Sequence, residues 1–317
     1  MNAGARLGLF TGGLVVAFGA AFGLAGLLVP QSLVAGWTEG DTVRSHDEGH
    51  SDSKTQPAVT SLKGLSLSDG GMVLSPVSAP HATDEEGNLS FRVEETDGSI
   101  VTEFAEAHDK KLHLIIVRSD GSEFRHVHPT MDADGTWTIP WTWHEAGSYR
   151  AFADFTPEGE DATGVTLTQT IHVDGAFASV PTEASRVDVV DGFTVELDGE
   201  LVAGSAGDLT VTVSRDGEPV TTLEPYLGAF GHLVALREGD LAYLHVHAEG
   251  DEPRAGETAG PEVGFGAEAP TAGRYLLYLD FQVDGAVHTA EFVLDVAHGD
   301  HADDSESSDD QTHSDGH

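Results

Sequence analysis

The chain repeats itself. The stretch HLIIVRSDGSEFRHVHP at 113–129 returns as HLVALREGDLAYLHVHA at 232–248, and AGSYRAFADF at 146–155 returns as AGRYLLYLDF at 272–281. The two copies pair His113 with His232, Arg118 with Arg237, His126 with His245 and His128 with His247. They also pair Gly147 with Gly273, Tyr149 with Tyr275, Asp154 with Asp280 and Phe155 with Phe281. A duplication of this kind means one fold built twice, so a single domain must be completed within each half. The expected domains are 64–176 and 183–297, joined by AFASVPTEAS.

Within each half, short apolar runs rich in Val, Ile, Tyr, Phe and Thr alternate with polar residues and stop at Asp-Gly, Gly and Pro. Examples are LSFRVEETDGS, LTVTVSRDGEPV and YLLYLDFQVDG. A period of two with turn signals about every ten residues describes antiparallel strands in a sandwich or barrel. The expected fold is all-β: two tandem Ig-like or cupredoxin-like antiparallel β-sandwich domains after one N-terminal transmembrane helix.

That helix is expected in residues 1–36. Leu7 to Val29 carries no charge, and as a helix it would reach about 34 Å, enough to cross a bilayer. Arg6 precedes it, and Glu39, Asp41, Asp47 and Glu48 follow it, which orients the remainder outside the cytoplasm. A cleaved signal peptide, cut after Ala35, is the rival reading and exports the same residues. Residues 37–63 read as a disordered polar linker, and 298–317 as an acidic, His-rich disordered tail.

Composition narrows the function. The net charge is −39, from 15 Lys plus Arg against 54 Asp plus Glu, which argues against nucleic acid and for attraction of cations. With no Cys, thiolate zinc sites, iron–sulfur clusters, disulfides and Cys nucleophiles are excluded, and 17 His leave imidazole and carboxylate as the available chemistry.

The histidines fall in a pattern. An Asp120-Gly121 turn of the type I′ kind sets Ile115 opposite His126 and His113 opposite His128. In the second copy a turn at Gly239-Asp240 sets Val234 opposite His245 and His232 opposite His247. Cross-strand partners share a face, so His113, His126 and His128 face one way, as do His232, His245 and His247. Three neighbouring imidazoles suit a divalent ion, copper or zinc, with one site expected per domain. Asp154 and Asp280 are candidate fourth ligands or acceptors for a ring N–H. Each histidine has a plainer reading as a hydrogen-bonded packing residue, and each Asp as an acceptor for turn or hydroxyl donors. His108, which has no mate because Leu227 stands in its place, is a further ligand candidate; Met131 reads as packing.

The strings HLIIVRSDGSEFRHVHPTM, AGSYRAFADFTPEG and EPYLGAFGHLVALREGDLAYLHVHA resemble a family of membrane-anchored, extracytoplasmic two-domain β proteins of high-GC Gram-positive (actinobacterial) bacteria. Its members are described as heavy-metal- or copper-associated, or simply as secreted or membrane proteins. The resemblance implies metal handling outside the membrane, a possible protein partner in metal transport, and His113, His126, His128, His232, His245 and His247 as the residues concerned. The expected function is a metal buffer or carrier that releases its ion as His protonates near its ordinary pKa of about 6.5. A non-catalytic interaction scaffold with structural histidines is the alternative, and a three-His hydrolytic site ranks behind both.

Overall fold

A computed structural model describes residues 63–160, 162–254 and 256–299 and, of His245, the backbone alone. The expected anchor, nearly all of the linker and all but the first two residues of the tail lie outside these residues. Among the described residues there are twenty strands, and no helix is long and apolar enough to cross a membrane.

The first half contains β1 (Ser68–Asp69), β2 (Met72–Leu74), β3 (Gly87–Phe91), β4 (Val93–Glu95), β5 (Phe104–Ala105), β6 (His113–Arg118), β7 (Arg125–Val127), β8 (Thr130–Met131), β9 (Trp137–Trp141), β10 (Gly147–Pro157) and β11 (Val165–Val173). The second contains β12 (Val187–Val190), β13 (Phe193–Gly199), β14 (Ala206–Arg215), β15 (Glu218–Pro219), β16 (His232–Arg237), β17 (Tyr243–Ala248), β18 (Glu262–Glu268), β19 (Gly273–Val283) and β20 (Ala286–Val296).

The strands follow from alternation. In β14, Leu209, Val211 and Val213 turn inward while Thr210, Thr212 and Ser214 turn outward, and β13 does the same with Phe193, Val195 and Leu197. In the first half the sheet ordered β11-β10-β6-β7 packs on two smaller sheets, β1-β2-β4 and β3-β9-β8. Their shared core holds Leu89, Phe91, Trp137, Trp141, Leu114, Ile116, Phe155 and Leu167. In the second half one sheet runs β12-β13-β14-β18-β17-β16-β19-β20 and encloses a core of Phe193, Leu209, Phe265, Tyr275, Leu277, Phe281 and Phe292.

Strand β6 departs from simple alternation, since all six of its residues are buried. Leu114 and Ile116 enter the first core, while Ile115 and Val117 enter a separate cluster with Phe152, Val234, Leu236, Leu241, Leu276 and Tyr278. This third cluster joins the two halves, and it is built largely from matching positions of the repeat. Ile115 corresponds to Val234, Val117 to Leu236, and Phe152 to Tyr278. Contacts across it recur in pairs. Phe124 stacks on Tyr278 at 3.9 Å, and the equivalent pair, Tyr243 and Phe152, lies at 5.9 Å. The Tyr278 hydroxyl donates to the Gly121 carbonyl at one hairpin tip, and Arg150 donates to the Asp240 carbonyl, the corresponding tip, at 3.0 Å. The halves therefore meet through like surfaces, as the subunits of a two-fold dimer do.

The first hairpin departs from the expected type I′ turn. Gly121 takes the left-handed region at φ 86, whereas Asp120 does not; its carboxylate turns back onto Arg118 at 3.0 Å and onto the Ser122 hydroxyl at 2.8 Å. The gain of an ion pair with a buried guanidinium selects this wider turn. The left-handed backbone at Gly121 disfavours any side chain, and a Cβ there would press on Leu276 Cδ1 of the second half, so glycine suits the tip where it seats.

Leu236→Ala removes a fully buried side chain from the joining cluster and is expected to cost about 3 kcal/mol. Denaturant unfolding measures this, and a loss under about 1 kcal/mol would mean that the two halves do not pack as described.

Candidate metal centre

The face of β6 that turns toward the second half begins with His113, and its neighbour β7 contributes His126. The ladder places Leu114 opposite Val127 and Ile115 opposite His126, the register counted from the sequence. His128 follows β7 directly. The side chains of His113, His126 and His128 converge so that one ring nitrogen from each lies within 4.8 Å of the others. His113 Nδ1 is 3.1 Å from His126 Nε2 and 3.2 Å from His128 Nε2.

The opposite nitrogens of two of these rings are already engaged. Asp280, on β19 of the second half, accepts from His126 Nδ1 at 2.8 Å, and the Ala107 carbonyl accepts from His113 Nε2 at 3.2 Å. A neutral imidazole carries one N–H and one lone pair. With the N–H groups placed outward, His126 Nε2 and His113 Nδ1 present lone pairs to the same small space, which His128 Nε2 also borders. The lone pairs of His113 Nδ1 and His126 Nε2, 3.1 Å apart, repel unless a proton or a cation lies between them. At a bond length of about 2.0–2.1 Å, an ion could bridge His113 Nδ1 to either neighbour, and His126 and His128 converge on the same nitrogen.

Burial keeps the rings neutral. The His126 side chain is fully buried, and burial, with His113 adding to it, holds the His126 pKa down to about 3. Burial, followed by His126 and His113, likewise lowers His128 to about 3, and burial lowers His113. Burial raises Asp280 to about 6, against the opposing effects of the Thr289 hydroxyl, which donates to it at 2.6 Å, and of nearby His232. At neutral pH the carboxylate is thus ionised and the imidazole neutral, the state in which Asp280 fixes the His126 tautomer.

The remaining candidates are placed differently. His232 borders the same neighbourhood, with its ring 4.9 Å from His126 and stacked on His113 at 5.7 Å and 3°. His245 and His247 lie on β17, which pairs with β16 only at Tyr243 and Leu244 and then crosses to β18, setting His245 against Glu268 and His247 against Gly266. The expected alignment of Val234 with His245 and of His232 with His247 therefore stops one pair short, because the strand changes partner. His247 is exposed, and the His245 side chain lies outside the described residues. Among the described residues the three-His group is that of the first half, and the expected His232–His245–His247 set includes the His245 side chain, which lies outside them. Asp154 pairs with His113 in the sheet and accepts from the Thr166 hydroxyl at 2.8 Å, outside the group; Asp280 acts as the acceptor for a ring N–H.

Three contributors escape sequence inspection. The Ala107 carbonyl has no side-chain signature. Tyr226 lies 6.5 Å from the His128 ring, its hydroxyl pushed up to about 12 by burial and then by Asp280. Thr289 could have been found by carrying the repeat one strand further, since Asp154–Thr166 and Asp280–Thr289 are equivalent cross-strand pairs.

A family profile described as a domain of unknown function (DUF8832) matches residues 69–174 and again 188–298. The chain belongs to this family. The two matched segments are the two halves of the duplication. No curated protein matches the chain. Among solved structures, domains 4 and 5 of the S-layer protein SbsC are 11% identical over 71% of this chain and 97% of that one, with a TM-score of 0.22. The Yersinia pseudotuberculosis adhesin InvE is 13% identical over 71% of this chain and 58% of that one, at 0.21. The tandem Ig repeats of Dlar are 8% identical over 69% and 92%, at 0.18. At such scores these likenesses carry no statement about function.

The depressed imidazoles predict a pH dependence. Below about 6.5 the unfolded chain takes up protons on His126 and His128 that the folded chain refuses until about 3, so stability is lost as pH falls through that window. Asp280 opposes this between about 6 and its ordinary value, but it is one carboxyl against two imidazoles. Ion-free protein is expected to lose on the order of 2 kcal/mol between pH 7 and pH 5, with a shallower loss in His126→Asn. Urea unfolding at the two pH values decides this, and equal slopes for parent and variant would contradict the burial of His126.

Proposed function

We propose that the protein binds a divalent transition-metal ion, Cu(II) or Zn(II), through His113, His126 and His128, as a buffer or carrier held outside the cytoplasm. The observation that carries this reading is the convergence of His113 Nδ1, His126 Nε2 and His128 Nε2 while Asp280 and the Ala107 carbonyl occupy the outward nitrogens of His126 and His113. Imidazole donors suit copper and zinc, and three protein ligands leave a coordination position for water or for a ligand supplied by a partner.

The ion is cargo in this reading. The chain supplies three donors oriented by packing, a carboxylate that fixes one tautomer, and an acidic surface, net −39, that concentrates cations near the centre. Proton competition differs from that of ordinary histidine. His126 and His128 resist protonation until about 3, so the ion is retained at mildly acidic pH and release is left to a competing ligand. The uncharged 7–29 stretch, with acids following it, supports a membrane anchor and an extracytoplasmic position, where a metal-transport protein is the partner class that fits.

One observation favours a scaffold reading instead: the His126–Asp280 bond crosses from one half to the other and would serve cohesion without any ion. The readings separate in a calorimetric Zn(II) titration of the full chain free of any affinity tag. Metal binding predicts a tight ion that His126→Ala abolishes and that Asp280→Asn weakens about 10–100-fold. A parent and His126→Ala that bind alike, with the variant melting lower, would leave the scaffold reading standing.

A further inference from the structure

The three donors of the centre all come from the first half, yet the second half covers each of their rings. His232 stacks on His113 at 5.7 Å, Asp280 accepts from His126 Nδ1 at 2.8 Å, and Tyr226 lies 6.5 Å from His128. His126 shares a face with its cross-strand partner Ile115, and Ile115 enters the joining cluster. The full burial of the His126 side chain therefore depends on the second half lying over it.

The joint is fastened unevenly along its length. Strand β6 runs from His113 at the centre to Arg118 beside its hairpin tip, and β16 from His232 to Arg237, each about 20 Å of extended chain. At the tips the Tyr278 hydroxyl donates to the Gly121 carbonyl, and Arg150 donates to the carbonyls of Asp240 at 3.0 Å and Gly64 at 3.3 Å. The connection between the halves is tied down at the same end. The Val180 N–H donates to Asp120 at 2.9 Å, and Arg274 donates to the Thr182 carbonyl at 3.1 Å. At the opposite end a cleft of about 500 Å³ opens between Ala107 and His108 of the first half and Gly228, His232 and Glu252 of the second. Ala107, whose carbonyl accepts from His113, borders it, so solvent reaches the edge of the centre.

We infer that the second half is a cover hinged at the hairpin tips, which closes over the three-His centre when an ion is bound and parts along the cleft when the ion leaves. The inference rests on the three-His reading for the presence of the ion. An ion on His126 Nε2 draws charge from the ring. That makes Nδ1–H a stronger donor to the Asp280 carboxylate and tightens a bond that crosses the joint. Closure in turn fixes the His126 tautomer that leaves Nε2 free to bind. Such coupling is reciprocal: the factor by which the ion favours closure is the factor by which closure favours the ion. Residues of the joint that are not ligands therefore control both affinity and release.

Chelator-driven release of Zn(II) from the full, untagged chain, followed by stopped flow, tests this for the ion that His126→Ala removes. Leu236→Ala and Tyr278→Phe loosen the joining cluster without altering a donor, while Leu209→Ala removes an equally buried leucine from the core of the second half. The two joint variants are expected to release the ion about 10-fold faster than the parent and to bind it correspondingly more weakly, and Leu209→Ala to behave as the parent. Tyr278→Phe keeps the ring that stacks on Phe124, so it reports on the joint even where Leu236→Ala fails to fold. Release at the parent rate from the joint variants, or equal acceleration by Leu209→Ala, overturns the cover and leaves the three-His reading standing. A His126→Ala chain that binds and releases Zn(II) as the parent does overturns both.

Discussion

A strand covered on both faces cannot keep the usual arrangement of apolar residues on one side and solvated residues on the other. In β6 the even positions, Leu114 and Ile116, belong to the first core, and the odd ones, Ile115 and Val117, are sealed by the second half. His113 sits on that second face, and the fully buried His126 beside it, so their polar atoms must be satisfied inside the protein. Asp280 meets this need for His126 from the opposite half, and the Ala107 carbonyl meets it for His113. Domain packing thereby decides which nitrogen of each ring is left over, and the leftover nitrogens point at one another. The chemistry of the centre is a consequence of the joining cluster.

The duplication explains both the likeness and the inequality of the two halves. His113 and His232 are equivalent, and they stack on each other at 5.7 Å, as residues next to a pseudo-two-fold axis do. Away from that axis the copies diverge. Strand β7 stays with β6 and brings His126 and His128 to the shared face, whereas β17 leaves β16 after two pairs to join β18. His108 occupies a left-handed turn position that the second copy gives to Leu227, which is buried. The repeated hairpin thus keeps its pairing through Ile115 and His126 in the first half and hands its second strand to β18 in the other.

Much of this was legible from residues alone. The alternation in LTVTVSRDGEPV gave β14 and its turn, and counting back from the first hairpin tip placed Ile115 opposite His126 as observed. The turn type was misjudged because Asp120 prefers an ion pair with Arg118 to a left-handed backbone. How the two copies come together is a different matter. Strand pairing within a copy can be read from spacing, but the face on which two copies meet cannot, since it depends on contacts such as Phe124 on Tyr278, far apart in sequence. The same applies to His126 and Asp280, 154 residues apart, whose roles emerge only when the halves are brought together.

The central claim is that three nitrogens, from His113, His126 and His128, share one cation. The most direct measurement is an anomalous-difference map from crystals of the protein equilibrated with Zn(II), recorded on both sides of the zinc absorption edge. The account predicts a peak about 2.0–2.1 Å from His113 Nδ1, His126 Nε2 and His128 Nε2, with the His126–Asp280 contact intact. A map with zinc elsewhere, and no anomalous density among these three rings, would contradict it.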